Sequence, residues 1–237
     1  MHWKTDGISK KIYLELTSPT EEDSRSSQIR ILDGLKEQGI KAQMTAKVMR
    51  KLYPLCEKSS WRITVSLAWK ETGWMAVDLE AGDTSRAHYG LAVDLGSTTV
   101  VARMIDCNTG KILGESGSYN RQIAYGTDIL TRIFYCKDDP EKLEELRRAT
   151  VDSIRDNLRE LEEQTGISCQ RCIQMVAAGN MTMIHFLIGM DAFCVFHTPY
   201  AVRASQPGFL LAEELLDLPL PGYVYCVPGK SNYLGGD

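Results

Sequence analysis

The sequence lacks most features that assign a function at once. It has no excess of basic residues: 27 Lys and Arg against 31 Asp and Glu leave a net charge of −4. That removes the electrostatic case for a nucleic-acid partner. It has no apolar leader either, since the opening "MHWKTDGISKK" is polar and no secretory signal is expected. The longest apolar stretch, "CIQMVAAGNMTMIHFLIGM" (172–190), is interrupted by Gln174, Asn180, Thr182 and His185, with Gly179-Asn180 at its middle. A buried strand, a turn and a buried helix are expected there, with no membrane partner. Internal repeats and low-complexity tracts are absent. No Ser/His/Asp spacing stands out, and "AGNMT" is no nucleophile elbow.

Metal-ligand spacing is also scarce. Seven cysteines are scattered along the chain, and the one close pair is Cys169 and Cys172 in "CQRC". A structural zinc site needs four ligands. Ordinary cytosolic thiols, and hence a cytoplasmic protein, are the expectation. His185 falls on an apolar segment and is read as a core histidine with one satisfied nitrogen, while His88 and His197 are isolated.

What is present is a chain of 237 residues, 43% hydrophobic, which can bury a core and suits one or two domains. Residues 11–16, "KIYLEL", alternate like a strand, and "QIRILDGLKEQG" reads as a short helix closed by Gly39. A helix over 43–55 follows. "WRITVSLAWKETGWMAVDLE" predicts two strands around Glu71-Thr72-Gly73, with Trp61 and Trp74 in a core or interface. "AGDTSRAH" (81–88) resembles a linker. The expected division is a small α+β domain over 1–87 and a second domain over 88–237.

From Tyr89 the rhythm changes. Strands 90–95, 98–105 and 111–118 are so closely spaced that they must be antiparallel neighbours. One helix is predicted within 126–135. A longer one starts after Asp139-Pro140, shows the buried stripe Leu143, Leu146, Thr150, Ile154, Leu158 and Leu161, and stops at Gly166. Its charged remainder is a solvated face. Strand 173–178, a turn at Gly179-Asn180 and helix 181–189 complete a crossover. Three antiparallel strands, then helices and a further strand, suggest a ribonuclease-H-like α/β sheet. Tyr119, Tyr125 and Tyr135 are assigned to core packing.

The stretch "YGLAVDLGSTTVVARMIDCNTGKIL" places an acid, a glycine and three hydroxyls between two strands. A tight hairpin is one explanation. A phosphate turn is the other: Gly96 admits close backbone approach, Ser97, Thr98 and Thr99 add donors, and Asp94 would hold Mg²⁺. The motif is too short to decide between them.

Four segments in order carry a resemblance: 89–113, "NRQIAYGTDILTRI" (120–133), "AAGNMTMIHFLIG" (177–189) and "VPGKSNYLGGD" (227–237). Together they resemble the ATP-dependent reductive activators of corrinoid proteins, a branch of the sugar kinase, heat-shock chaperone and actin superfamily. The resemblance implies that 8–85 is the family's middle domain and 88–237 the first, truncated lobe of an actin-like ATPase domain. It implies ATP and Mg²⁺ as cofactors and Asp94 as the catalytic, metal-holding carboxylate. Gly96, Ser97, Thr98 and Thr99 match the first phosphate motif, and Asn120, Gln122, Gly126 and Asp128 a polar segment beside the nucleotide cleft. Gly179 and Asn180 match the turn after the central strand; Gly235, Gly236 and Asp237 match the start of the connection between lobes.

The implied function is return of a Co(II) corrinoid to Co(I) on a methyltransferase-system partner, with an iron–sulfur domain delivering the electron and ATP making the uphill step possible. Neither the cluster-binding cysteines nor the second phosphate motif and adenosine glycines are in this sequence. The chain is therefore expected to be a fragment that contains no iron–sulfur cluster and is inactive alone. A homodimer is compatible with it. A small-molecule kinase of the same superfamily and a non-enzymatic interaction module are the alternatives.

Overall fold

The computed structural model describes residues 7–229. Its first unit contains β1 (Ser9–Glu15), α1 (Ser27–Glu37), β2 (Ala42–Met44), α2 (Ala46–Lys58), β3 (Arg62–Lys70) and β4 (Gly73–Ala81). The sheet order is β1-β3-β4-β2, antiparallel except for the β2–β4 pair. Side chains alternate across a strand, so Ile63, Val65 and Leu67 face a core with Ile31 and Leu35 of α1 and Val48, Leu52 and Cys56 of α2. Both helices begin at a hydroxyl cap: Ser26 accepts from the Ile29 amide and Thr45 from the Val48 amide. The short strand β2 was not legible in the sequence, and α2 runs through Pro54 to Lys58. Trp61 is buried in this core and Trp74 packs at its edge, against Trp69.

The second unit contains β5 (Tyr89–Leu95), β6 (Thr99–Asp106), β7 (Lys111–Tyr119), α3 (Ile129–Tyr135), α4 (Pro140–Thr165), β8 (Cys172–Gly179), α5 (Met181–Ile188), β9 (Gly208–Leu211), α6 (Ala212–Leu216) and β10 (Tyr223–Cys226). Its sheet order is β7-β6-β5-β8-β10-β9. The first three strands form the expected antiparallel meander, and β8 then joins β5 in parallel. β10 adds parallel to β8, and β9 closes the edge antiparallel. The fold is a small α+β unit followed by an actin-like, ribonuclease-H-like half-domain.

Helix α4 starts at the Asp139 cap with Pro140 in its first turn and ends at Gly166 in the left-handed region. Leu146, Thr150, Ile154, Leu158 and Leu161 are buried and Leu143 is partly so, matching the stripe. Their partners include Val93, Leu95, Val100, Ala102 and Met104 on one face of the sheet. Two of the three tyrosines meet expectation, since Tyr125 and Tyr135 pack on the core and on each other. Tyr119 does not. It is 75% exposed.

The stretch 82–88 is not a free linker. The Thr84 amide donates to Thr64 Oγ1, and Asn108 Nδ2 donates to the carbonyls of Ser85 and Arg86. His88 is buried, with Nε2 2.8 Å from Ser9 Oγ, so it is not isolated. A separate seam of Ala68, Val77, Ile173 and Tyr223 joins the two sheets, and Gln174 Nε2 donates to the Trp69 carbonyl at 2.8 Å. Gly222 abuts the Ile173 carbonyl so closely that no Cβ fits.

His185 is fully buried on α5. A carbonyl only accepts, so Nδ1–H donates to Met181 O at 2.7 Å, and the buried Nε2 has no partner. Burial holds the pKa values of His88 and His185 below the usual histidine range. The unfolded histidines, near 6.5, therefore take up protons first, so stability falls as pH drops through about 6.5 toward the folded values. Thermal melts from pH 8 to pH 5 check this: His185→Gln should lose stability less steeply than wild type on acidification. Equal slopes would remove His185 from the account.

Candidate phosphate-binding turn

The parallel pairing of β5 with β8 sets the site. Leu95 and Gly179 are register partners at the carboxyl ends of the two strands. A Cβ on Gly179 would lie 2.6 Å from the Leu95 carbonyl oxygen, so only glycine allows this approach. The loops that leave these strands, 96–98 and the Asn180 cap of α5, therefore lie side by side. In open α/β sheets such carboxyl ends are where ligands bind.

Residues Gly96–Thr98 do form a hairpin connection between β5 and β6, which leaves a phosphate role open. Gly96 is again obligatory, because a Cβ there would meet the Thr99 carbonyl at 2.6 Å. Three successive turn carbonyls are bonded from one segment. Gly96 O accepts from Asn120 Nδ2 at 2.9 Å, Ser97 O from Arg132 Nη1 at 2.7 Å, and Thr98 O from the Asn120 amide at 2.8 Å. With the carbonyls so engaged, the remaining polar groups of the turn are amides and hydroxyls, the donors an anion requires.

Asp94 is exposed, and its register partners are Val101 on β6 and Ala178 on β8. Alternation and register place it with Ala92, Val176, Ala178 and Tyr225 on the sheet face opposite α4. Ala92 and Ala178 are small, and Asp94 itself is exposed. An exposed carboxylate beside three hydroxyls is an oxygen donor set that suits hydrated Mg²⁺.

The remaining expected site residues divide. Asn180 caps α5, its Oδ1 accepting from the Met183 amide at 3.0 Å, and adjoins the turn. Asn120 and Gln122 are not presented to a ligand. Both are fully buried. Asn120 Oδ1 accepts from the Gln122 amide, while Gln122 Nε2 donates to Leu146 O and Thr150 Oγ1 and its Oε1 accepts from Arg132. They are struts behind the turn, a placement that polarity alone could not distinguish from lining a cleft. Asp128 caps α3, accepting from the Thr131 amide and hydroxyl, which lowers its pKa. Gly126 accepts from Arg132 Nε at 2.8 Å. Gly235, Gly236 and Asp237 lie outside the described residues.

Arg132 was missed. It is fully buried, and the signal was an arginine between the core-facing positions Ile129, partly buried, and Ile133, buried, of "ILTRI". The seven cysteines are all free thiols, and no group of three or more His, Cys, Asp or Glu side chains among the described residues is arranged to hold a metal. A concavity of about 910 Å³ lies between 119–125 and α4 and does not include Asp94. Helices long and apolar enough to cross a membrane are absent among the described residues.

The fold defines the class: one actin-like half-domain, with a glycine turn where two strand ends meet, preceded by a small α+β unit. The chain belongs to the family described as the RACo middle region, whose model matches residues 89–237. A second model, the RACo linker region, matches residues 2–86. "Middle" thus describes the second unit, not residues 8–85 as the resemblance had implied. The corrinoid activation enzyme RamQ of Eubacterium limosum is 26% identical over 163 residues, 67% of this chain and 27% of that protein. A solved reductive activator for corrinoid, iron-sulfur protein superposes with a TM-score of 0.88 at 29% identity, covering 98% of this chain and 37% of that one. The chain spans well under half the length of either relative.

Gly179→Ala tests the close approach. The added methyl must push the ends of β5 and β8 apart, and a loss of about 1–3 kcal/mol is expected, as for overpacked sites. Denaturant melts measure it. An unchanged midpoint would mean that the strand ends separate freely.

Proposed function

We propose that this chain is the part of an ATP-dependent reductive activator that supplies the first phosphate-binding lobe. The full protein would return the Co(II) corrinoid of a methyltransferase-system protein to Co(I) in the cytoplasm. Family membership and the names of both relatives support corrinoid activation. The observation that carries the nucleotide reading is the turn 96–98, whose three carbonyls are drawn back at the carboxyl ends of paired parallel strands. In this reading residues 1–87 form a supporting α+β domain and 88–237 one lobe of the ATPase domain, and a homodimer remains compatible. The cysteine arrangement offers no cluster ligands, so iron is not expected in this chain.

Residues Gly96, Ser97, Thr98 and Thr99 would bind phosphate oxygens through amides and hydroxyls. Asp94 would hold Mg²⁺, which neutralises phosphate charge when bound. Asn180 and Gly179 would border the same phosphates, while Gly235, Gly236 and Asp237 would begin the connection to a second lobe. A nucleotide held by one lobe is bound on one side only, so in-line attack is not organised. A sugar-kinase reading would need a catalytic carboxylate beside a sugar pocket. No observation here favours it.

Two outcomes follow for the chain as it stands. Titration calorimetry should find ATP–Mg²⁺ affinity weaker than micromolar with negligible hydrolysis; tight binding would contradict a one-sided site. Asp94→Asn should keep the thermal midpoint yet weaken the Mg²⁺-dependent part of ATP binding, because the amide is nearly isosteric but uncharged. Unchanged Mg²⁺ dependence would return 94–99 to a plain hairpin.

A further inference from the structure

Arg132 occupies an unusual position for an arginine. Its side chain is 0% exposed, and none of its nitrogens lies within ion-pair distance of a carboxylate among the described residues. Nη1 donates to Ser97 O at 2.7 Å and to Gln122 Oε1 at 3.2 Å, and Nε donates to Gly126 O at 2.8 Å. Nη2 is buried with no partner. Burial lowers its pKa, and the exposed Asp128 carboxylate opposes the shift, but guanidinium stays charged at any ordinary pH. The protein therefore keeps a cation behind the turn with no carboxylate at ion-pair distance among the described residues, at the expense of desolvating it.

A purely structural tie to Ser97 O does not need that charge. A neutral donor, such as the Asn120 amide beside it, already performs the equivalent task on Gly96 O. A buried positive charge bonded through one carbonyl to a turn whose open side presents donors acts in low dielectric, where its field reaches the far side of the turn with little screening. The planar fork also fixes geometry, because Nη1 and Nε grip Ser97 and Gly126 at once.

We infer that Arg132 is the positioning residue of the phosphate turn and the source of its charge preference. Its fork holds the Ser97 carbonyl inward, and its charge favours the more highly phosphorylated nucleotide at 96–99. This rests on the phosphate reading of the turn. It adds a selectivity that the turn's neutral amides and hydroxyls do not supply.

The test uses the whole chain, with ATP, ADP and AMP each titrated without Mg²⁺ and at low salt, where ligand charge rises from AMP to ATP, by ligand-observed NMR, which registers millimolar affinities. R132Q removes the charge and R132K keeps it while losing the fork. R132Q should weaken ATP by about tenfold and AMP by less than about threefold, as a charge effect scaling with ligand charge requires. R132K should weaken all three by a similar factor and keep the wild-type ATP-to-AMP ratio. Circular dichroism melts establish folding, and if R132Q does not fold, R132K carries the test. R132K at wild-type affinity for all three, or R132Q weakening all three equally, overturns the inference while the phosphate reading stands. Wild type with no measurable affinity for any nucleotide overturns the reading itself and the inference with it.

Discussion

The parallel hydrogen-bonded pair of β5 and β8 is the constraint on which the rest of the second unit depends. Parallel strands cannot be joined by a hairpin, so the chain must leave the sheet and return. Here it does so through α3 and α4, after β6 and β7 have extended the sheet on the other side of β5, and the long helix α4 covers the face that the meander leaves apolar. Bringing β8 back beside β5 in this direction places two carboxyl ends together, and with them the loop 96–98 and the Asn180 cap. Gly179 is the residue that permits contact at the tip, where Leu95 O leaves no room for a side chain. The site is thus a consequence of sheet topology, and one glycine sets its width.

The turn is further shaped by the cost of burying polar groups. An unsatisfied buried carbonyl or amide costs about 1–3 kcal/mol, so the inward side of 96–98 must be satisfied from within the protein. Residues 120–132 do this with two side chains and one amide. Gln122 links the strut to α4 by donating to Leu146 O and Thr150 Oγ1, which ties the network into the core. A network of this kind is rigid when complete and costly when broken. The unpartnered Nη2 of Arg132 is the exception, and buried exceptions of this type call for a reason beyond packing.

Much of this was legible in the chain because strong periodicity and punctuation agree. The α4 stripe, its Asp139-Pro140 start and its Gly166 stop are local signals, and the structure follows them. The meander strands begin and end within a residue or so of expectation. β2, β9, β10 and α6 are short, and their places are decided by neighbours: β10 is a strand because β8 offers it an edge. The site divided in the same way. The need for glycine at 96 and 179 follows from backbone rules that sequence displays. The roles of Asn120, Gln122 and Arg132 depend on which way a polar side chain points, inward or outward, and neither residue type nor spacing encodes that. The stretch 82–88 misled for a related reason, since its Gly, Asp and Ser composition reads as linker while tertiary hydrogen bonds hold it.

The face that carries Asp94 explains why such a site would be weak in isolation. Ala92, Val176 and Ala178 are small, and Asp94 stands among them exposed to water. A charge contact there acts at high effective dielectric and is screened by salt, which leaves on the order of 1 kcal/mol or less from a pair at contact. The same carboxylate would gain several-fold in strength once water is excluded from above it. Arg132 is the opposite case, a charge already desolvated beneath the turn. The two sides of the turn therefore differ in kind: below, a desolvated charge; above, an exposed carboxylate whose contacts would strengthen with whatever closes over it. On the proposed reading, a chain built this way would separate recognition of phosphate, which its own fold would prepare, from organisation of the metal, which would need a second surface to exclude water.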